Sequence, residues 1–227
     1  MTFALRQMHA AAPVLGAFTM EIVHYKLLGL AAFMLCIRVT LTYFDLLPPK
    51  ARHTIRDYAD AGAIASVVAL ILITFVFQVS RVEGDSMLPT LEDGQYTVVN
   101  KLIYRLHPPQ RGDVIVFRAP DEPDRDYIKR VVGVPGDKIE IRSGWVIIND
   151  LKLREPYEMG RPDYSRPPEK VKPGHLFVLG DNRQNSSDSH LWGQLPIGRV
   201  RGKASLRIWP FSRFGLIPSF SGRRFTV

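Results

Sequence analysis

The sequence predicts an all-β domain, a barrel or sandwich, that is attached to membrane-spanning α-helices at its N-terminus. Three observations support this prediction. The run from Ala61 to Ser80 contains no charged residue, short strand-like segments separated by Gly and Pro begin at Val82, and no long amphipathic helix follows them. Many short strands without such helices are typical of β-barrels and β-sandwiches.

The segment 61–80 is predicted to be a transmembrane helix. About 20 helical residues cover the roughly 30 Å hydrocarbon core of a bilayer, and an uncharged run of this length is unusual for a buried core helix. A basic loop, 48–60, precedes it and carries one Lys and two Arg. The positive-inside rule places this loop in the cytoplasm and the chain from Arg81 onward on the opposite side of the membrane.

Two further segments precede the basic loop. Residues 1–26 mix apolar pieces with charged residues, and the long apolar run that follows argues against a cleavable signal peptide. Residues 27–47 are predicted to form a first transmembrane helix, although Arg38 lies within it. Because an Arg inside a span costs about 2.5 kcal/mol or more, Arg38 must snorkel or pair, or else the segment is an interfacial helix.

Residues 81–227 are predicted to form the β domain. Its predicted strands are Gln95 to Leu102, Asp113 to Phe117, Ile128 to Val134, Lys138 to Ile141, Trp145 to Ile148 and His175 to Leu179. Asn149 and Asp150 form a plausible hairpin turn. The stretch 155–173 is rich in Pro, Arg and Glu and is predicted to be a loop or a small excursion.

Composition excludes several classes of protein. The formal net charge is +8, but beyond the predicted span the Lys and Arg are spread along the chain without an obvious basic helix or an interleaved aromatic platform. We therefore expect anionic lipid headgroups, and not nucleic acid, as the partner of this charge. Cys36 is the only cysteine, and the six His show no ligand spacing. An internal disulfide is excluded, and no metal site is predicted.

One candidate functional residue is Ser86, in the stretch Gly-Asp-Ser-Met-Leu-Pro-Thr just beyond the predicted span. Gly opens positive φ angles and Pro fixes φ near −65°, so this stretch suits a fixed, irregular turn that presents a hydroxyl. The same composition is also typical of an ordinary surface turn. Ser86 alone therefore does not decide between the two interpretations.

A second candidate is Lys129, in the stretch Tyr-Ile-Lys-Arg-Val-Val-Gly-Val-Pro-Gly-Asp, where it interrupts a strand-like apolar pattern. Burial would lower the pKa of this lysine and allow it to accept the proton of a Ser hydroxyl. The alternative is a solvated lysine on a strand. A third polar segment, Gly180 to His190, reads Gly-Asp-Asn-Arg-Gln-Asn-Ser-Ser-Asp-Ser-His and would otherwise be a hydrophilic loop.

These three segments, in this order and with Arg-Gly-Asp-Val-Ile-Val-Phe at 111–117 between the first two, resemble type I signal peptidase, a membrane-anchored Ser/Lys leader peptidase. The resemblance extends from about Val82 to Pro210. Four ordered motifs are far more specific than any one of them. The resemblance implies an endopeptidase that removes N-terminal signal peptides from exported preproteins and needs no metal or cofactor.

The resemblance also implies roles for individual residues. Ser86 corresponds to the nucleophile and Lys129 to the general base, while Ser186 corresponds to the serine that orients the lysine amine. Asp188, together with Asp181, is expected to hold the loop by pairing with an arginine. The arginines available for this pairing are Arg130 and Arg183. The Ser86 N–H is expected to stabilise the oxyanion.

Three positions depart from the best-known bacterial pattern. Gly84 lies where some members carry a serine that completes the oxyanion hole, so another group must supply a second donor or the site relies on one. Gln184 replaces an acidic residue, and His190 lies where an Arg is common. These two departures bear on the structural ion pairs of the family more than on its catalysis.

Substrate contacts and location follow from the same resemblance. Met87, Tyr127 and Ile128 are expected either to line shallow pockets for small residues at positions −1 and −3 of the signal peptide or to pack in the core. The predicted protein is a monomer in the bacterial cytoplasmic membrane, with its peptidase domain on the outer face. Its predicted partners are signal peptides and the phospholipid membrane.

Two alternatives stay open. A specialised Ser-Lys processing peptidase of a conjugation or secretion system would share the serine and the lysine but cleave few substrates. A membrane-tethered β-domain that binds partners without catalysis is the other alternative. The presence of Ser86, Lys129 and Ser186 together argues against this second one.

Overall fold

A computed structural model describes residues 12–43, 48–220 and 225–226. The chain divides into two compact units, Met1–Phe77 and Gln78–Val227. The first unit is helical in its described part. The second is built mostly from β-strands, as the sequence predicts.

The helical unit contains two long helices, α1 (Ala12–Tyr43) and α2 (Pro49–Ile71), and α2 ends in a π-helical turn, Leu72–Val76. Each helix contains a window that is long and apolar enough to cross a membrane. Helix α2 begins at the second of two prolines because a Pro at the first helical position lacks only a donor that would be unpaired there in any case. Most of the segment expected to be a basic loop is therefore helical.

Arg38 on α1 pairs with Asp60 on α2. The Nε atom of Arg38 lies 3.0 Å from Oδ1 of Asp60. The helices approach closely nearby, since a Cβ added to Gly62 would lie 3.3 Å from the sulfur of Met34. Of the two solutions considered for an Arg within an apolar helix, pairing is the one that the structure shows.

Thirteen strands are found among the described residues of the chain. They are β1 (Phe77–Arg81), β2 (Tyr96–Asn100), β3 (Val114–Arg118), β4 (Asp126–Gly133), β5 (Lys138–Arg142), β6 (Trp145–Ile148), β7 (Leu151–Leu153), β8 (Arg166–Lys170), β9 (His175–Leu179), β10 (Leu195–Pro196), β11 (Val200–Trp209), β12 (Gly215–Leu216) and β13 (Phe225–Thr226). Two short helices, α3 (Ile103–Leu106) and α4 (Ser189–Trp192), lie between strands.

The strands form two sheets. The larger has the order β1-β2-β11-β3-β4-β9-β10, with β12 added to β11, and the smaller has the order β13-β7-β6-β5-β8. In the larger sheet β3 and β4 pair antiparallel, and Ile115 lies opposite Lys129. Strand β4 is thus a central strand, flanked by β3 and β9, and five of its eight residues are buried. This position removes the middle of β4 from water.

All six predicted strands are present, with ends that differ by at most two residues. The predicted hairpin turn joins β6 to β7, where Asn149 and Asp150 both have positive φ angles, 52° and 69°. Such angles match the twist of a two-residue hairpin and suit Asn and Asp. The stretch 155–173, predicted to be a loop or a small excursion, contains β8 and is therefore not a loop throughout. The end of the predicted span, 61–80, is wrong, because Phe77–Arg81 is a strand that pairs with β2.

Three apolar clusters fill the β unit. One contains Met87 and Leu91 from the segment after β1, together with residues of β2, β3 and β11. The second lies under the smaller sheet and includes Phe177 of β9. The third lies between β3, β4 and β9 and includes Phe117. The first cluster anchors the segment that carries Ser86.

Gly112 is predicted to be required for packing, because the main chain of Phe220 occupies the space that a Cβ atom at position 112 would need. An added Cβ would overlap the carbonyl of Phe220, and the φ of Gly112 is +91°. Gly112→Ala should therefore lower the melting temperature of the full-length protein in detergent by more than the strain of a positive φ alone, which costs upward of about 1 kcal/mol.

Gly136→Ala is the matched control, because Gly136 has a similar φ of +94° and open space around its Cβ position. Equal melting temperatures for the two variants, measured by circular dichroism, would contradict the packing of Phe220 against Gly112.

Candidate active site

Ser86 lies in a turn that follows β1. The N–H of Leu88 donates to the carbonyl of Asp85 over 3.2 Å, and the N–H of Leu91 donates to the carbonyl of Met87 over 2.9 Å. Gly84 begins the turn with a φ of +80°, and its N–H donates to Oδ1 of Asp93. These hydrogen bonds fix the turn on both sides of Ser86.

Lys129 meets this hydroxyl. Its Nζ atom lies 2.6 Å from Oγ of Ser86, although 43 residues separate the two in sequence. Lys129 comes from the middle of the central strand β4 and is only 5% exposed. The structure therefore brings together the two residues on which the sequence analysis placed the chemistry.

The environment of Lys129 changes its acidity. Burial, which disfavours the charged amine, lowers the pKa of Lys129 from 10.5 to about 8. The negative charges of Asp188, Asp181 and Asp121 act in the opposite direction and raise this pKa, but less strongly. Desolvation is thus the dominant cause, as expected from a lysine on an apolar strand.

The segment 180–190 packs directly on the Ser86 turn. The N–H of Asn182 donates to the carbonyl of Ser86 over 3.0 Å, and the Nδ2 of Asn182 donates to the carbonyl of Asp85 over 3.1 Å. Gly180 has no room for a side chain, because an added Cβ would overlap both the Ser86 carbonyl oxygen and Oγ of Ser186. A glycine here allows the two segments to come into contact.

Ser186 is brought beside the Ser86 turn by this packing. Its Oγ is buried and has no hydrogen-bond partner among the described residues. The hydrogen bond between Ser186 and the lysine amine, which the resemblance implies, is not formed in this structure. Its role as an orienting residue stays a prediction.

Asp188 holds the loop through main-chain groups and a histidine. One carboxylate oxygen accepts from the N–H of Gly180 over 2.9 Å, and the other lies 2.7 Å from Nδ1 of His190. The ring of His190 stacks on Tyr164, with centroids 3.8 Å apart. The expected pairing of Asp188 with Arg130 or Arg183 is not formed among the described residues, because these two arginines pair with Asp181 and Glu155. The side-chain partner of Asp188 is His190.

Asp181 forms the ion pair that was expected of the loop. Arg130 donates from Nε and Nη2 to the two carboxylate oxygens over 2.8 and 2.7 Å, and both side chains are fully buried. The hydroxyl of Thr90 also donates to Asp181, over 2.6 Å. Because Arg130 follows Lys129 on β4 and Thr90 follows the Ser86 turn, this ion pair connects the three segments of the site.

Several residues that support the site are not predicted by the sequence patterns. Arg183 pairs with Glu155 through two hydrogen bonds of 2.5 and 2.6 Å, and both are buried. The ring of Tyr157 lies over the guanidinium of Arg130, 4.0 Å from its centroid. Glu155 and Tyr157 both lie in the stretch 155–173, which was expected to be a loop or a small excursion. A Glu and a Tyr in a Pro-rich stretch give no local signal of such distant partners.

The three expected pocket residues differ in exposure. Met87 is 0% exposed and belongs to the core cluster beneath the turn. Ile128 is partly exposed and packs against that same cluster, and Tyr127 is partly exposed on the opposite face of β4, against the third cluster. The structure thus favours the core for Met87, while Ile128 and Tyr127 keep surface that a peptide could contact.

The chemistry available at this site is nucleophilic attack by a hydroxyl next to a lysine of lowered pKa. Among residues 12–43, 48–220 and 225–226, no group of three His, Cys, Asp or Glu side chains could hold a metal ion. A neutral lysine amine within hydrogen-bond distance of a serine is the Ser-Lys form of nucleophilic catalysis.

Comparison with known proteins agrees with this chemistry. The family model described as "Signal peptidase, peptidase S26" matches residues 55–209. The chain belongs to this signal peptidase family. The matched region includes Ser86, Lys129 and the loop 180–190.

Relatives within the signal peptidase family are similar over most of their length. A protein of Synechocystis named "Probable signal peptidase I-1" is 43% identical over 76% of this chain and 92% of the relative. A signal peptidase I of Leptolyngbya laminosa is 40% identical over 74% of this chain and 86% of the relative. A signal peptidase I of Bacillus caldolyticus is 41% identical over 66% of this chain and 90% of the relative.

The three departures from the family pattern have visible consequences. Gly84 has no side chain and therefore cannot supply the hydroxyl donor that some members of the family carry at this position. Gln184 is exposed and its amide reaches the carbonyl of Arg161 over 3.3 Å, so it forms no ion pair. His190 replaces the usual Arg as the partner of Asp188. Among the described residues, the loop is held by the Arg183–Glu155 ion pair and by the contact of Asp188 with His190, and Ser86 and Lys129 lie within hydrogen-bond distance of each other.

Proposed function

We propose that this chain is a signal peptidase I that cleaves N-terminal signal peptides from exported preproteins, with Ser86 as the nucleophile and Lys129 as the general base. The observation that carries the proposal is the 2.6 Å contact between the Ser86 hydroxyl and the buried Lys129 amine. Membership of the signal peptidase family supports the same reaction.

The reaction begins with neutral Lys129. Its amine accepts the hydroxyl proton of Ser86 while Oγ attacks the carbonyl carbon of the residue before the cleavage site. The carbonyl electron pair becomes an oxyanion, which the Ser86 N–H stabilises. The protonated amine then gives its proton to the leaving amino group as the peptide bond breaks. Water, deprotonated by Lys129, hydrolyses the acyl-enzyme in the second half.

The lowered pKa of Lys129 makes this role feasible near neutral pH. With a pKa of about 8, roughly one lysine in ten is neutral at pH 7, against about one in three thousand for a pKa of 10.5. Burial therefore increases the population of the competent base by more than a hundredfold. This gain depends on the apolar surroundings that β4 provides.

Ser186 and Asp188 are assigned supporting roles. The Ser186 Oγ is buried beside the Ser86 main chain and has no hydrogen-bond partner in the described part of the chain, so we assign it the role of orienting the amine. Asp188 holds the loop and raises the pKa of Lys129 by its charge. The Asp181–Arg130 pair fixes the positions of the three segments relative to one another.

The substrate site is assigned to the partly exposed residues of β4 next to Lys129. Ile128 and Tyr127 would contact the peptide beside the cleaved bond. Shallow apolar pockets reject large side chains by overlap, so cleavage is expected after a small residue at position −1, with another small residue at −3.

Features of each unit support a proposed membrane arrangement. Helices α1 and α2 are proposed to span the bacterial cytoplasmic membrane, with the basic residues of 48–60 in the cytoplasm and 81–227 outside. A cluster of large exposed apolar side chains on the β unit suits contact with lipid: Trp209, Phe211, Phe214 and Leu216. The protein is proposed to act as a monomer that binds signal peptides and the membrane and no nucleic acid.

Ser86→Ala is expected to abolish cleavage of a preprotein by the purified full-length protein, because it removes the attacking oxygen. The variant should stay membrane-bound and keep its melting temperature. Ser165→Ala, at an exposed serine, is the control and should leave activity unchanged. Full activity in Ser86→Ala, measured by gel shift of the precursor, would refute the nucleophile assignment.

Lys129→Arg is expected to reduce kcat/KM by several orders of magnitude, because a guanidinium keeps the charge but stays protonated at any working pH. In the wild type kcat/KM should rise with pH through an apparent pKa of about 8, since the neutral lysine is the active form. Lys138→Arg, at an exposed lysine, should change neither quantity. The base assignment fails if Lys129→Arg retains turnover or if the rise begins only near pH 10.

The orientation can be tested with tags in intact cells. A tag at Val227 should react with a membrane-impermeant reagent while the cytoplasmic membrane is intact, once the cell layers outside that membrane have been permeabilised. A tag at His53 should react only after the cytoplasmic membrane is lysed. The opposite pattern would place the β unit in the cytoplasm and overturn the proposed topology.

A further inference from the structure

Asn182, in the loop 180–190, binds the main chain of the turn that carries Ser86. Asn182 donates two hydrogen bonds, one from its main-chain N–H to the carbonyl of Ser86 and one from its Nδ2 to the carbonyl of Asp85, over 3.0 and 3.1 Å. These two carbonyls belong to the peptide groups on either side of the Ser86 α-carbon. Asn182 thus fixes both peptide planes next to the nucleophile.

The geometry of the Asp85–Ser86 peptide follows from this contact. Its carbonyl oxygen accepts from Nδ2 of Asn182 and from the N–H of Leu88, 3.2 Å away. The N–H of a trans peptide points away from its carbonyl oxygen. The Ser86 N–H is therefore turned away from both donors, and it has no acceptor among the described residues.

A free, fixed N–H is what an oxyanion requires. Stabilisation of a developing negative charge depends on donors that are already aimed and need no reorganisation. In this chain Gly84 provides no side-chain donor, so stabilisation of the oxyanion depends more strongly on the Ser86 N–H. Any freedom of the Asp85–Ser86 peptide would then cost more in rate than it would where a second donor is present.

We propose that the side-chain amide of Asn182 is a positioning residue for the oxyanion site and aims the Ser86 N–H through the Asp85 carbonyl. Asn182 does not touch the substrate. Its own position is fixed because the preceding residue, Asp181, is held by Arg130 and Thr90. The buried Arg130–Asp181 pair thereby helps to fix the position of Asn182, and Asn182 fixes the Asp85–Ser86 peptide. This inference rests on the proposed peptidase function.

The first test separates kcat from KM for cleavage of a peptide with Ala at position −1 by the full-length protein. Asn182→Ala should lower kcat by between about 10- and 100-fold, because the N–H donor loses its fixed aim. KM should stay within about twofold, since ground-state contacts are unaffected. The apparent pKa of the pH profile should stay near that of the wild type, because Asn182 carries no charge.

The second test uses a peptide aldehyde that ends in Ala as a mimic of the tetrahedral state. The Ser86 Oγ adds to the aldehyde carbon, its proton passes to the Lys129 amine, and the carbonyl electron pair becomes an oxyanion that accepts from the Ser86 N–H. The inhibition constant of the aldehyde should rise in Asn182→Ala by about the same factor as kcat falls. The corresponding peptide alcohol, which forms no adduct, should bind both proteins equally.

Matched variants separate this role from a structural one. Asn185→Ala, at an exposed asparagine three residues along the same loop, should leave kcat and the inhibition constant unchanged. Asn182→Asp keeps the size of the side chain but cannot donate to the Asp85 carbonyl. It should also lower kcat when compared at the high-pH plateau, where its added charge no longer affects the population of neutral Lys129.

The outcomes distinguish this inference from the proposed function. If the wild type cleaves the peptide and both Asn182 variants keep kcat within twofold, the positioning role is wrong and the peptidase assignment stands. A fall in kcat that comes with a shifted pKa and an unchanged aldehyde affinity would also overturn it, because Lys129 and not the oxyanion site would be disturbed. If the wild type cleaves nothing, the proposed function fails and this inference fails with it.

Discussion

The burial of the Lys129 amine against the Ser86 hydroxyl constrains the rest of the structure. A charged amine in an apolar interior is unfavourable, and here that penalty is what lowers the pKa of Lys129 to about 8. The lysine must therefore lie on a central strand with neighbours on both sides, and the serine must be delivered to it by a separate segment. Strand β4 and the turn after β1 meet these two requirements.

The contact is maintained by a second buried interaction. Removing one partner of a buried ion pair commonly costs about 3–5 kcal/mol, because the other charge is left without compensation. Arg130 and Asp181 form such a pair next to Lys129, and Thr90 connects it to the serine turn. The pair brings the loop 180–190 onto the turn, where Gly180 permits close packing and Asn182 holds the two peptides around Ser86.

Much of the fold could be predicted from local patterns, because β3, β5, β6 and β9 are short apolar or alternating runs between Gly and Pro. Strand β8 could not, since its sequence Arg-Pro-Pro-Glu-Lys argues against a strand. Prolines are tolerated there because β8 is an edge strand. Strand β1 could not be distinguished from the preceding helix, because its first residues continue the uncharged run that predicts a transmembrane helix.

Only some residues of the site could be predicted from the sequence. Ser86 and Lys129 were identified through the order of motifs and not through any spacing, since 43 residues separate them. The pairing of Asp181 with Arg130 could be expected, but the partners Glu155, Tyr157 and Asn182 could not. Their roles depend on contacts between distant segments, and a polar residue in a loop has no local pattern that indicates its partner.

The central claim, that burial makes Lys129 a base near neutral pH, is tested most directly by titrating this amine itself. The full-length protein can be labelled with ¹³C at the lysine ε-carbons, and the Lys129 signal is assigned by its loss in Lys129→Arg. The account predicts that this signal titrates with a pKa of about 8, while exposed lysines titrate near 10.4. A Lys129 signal that titrates together with the exposed lysines would contradict the account.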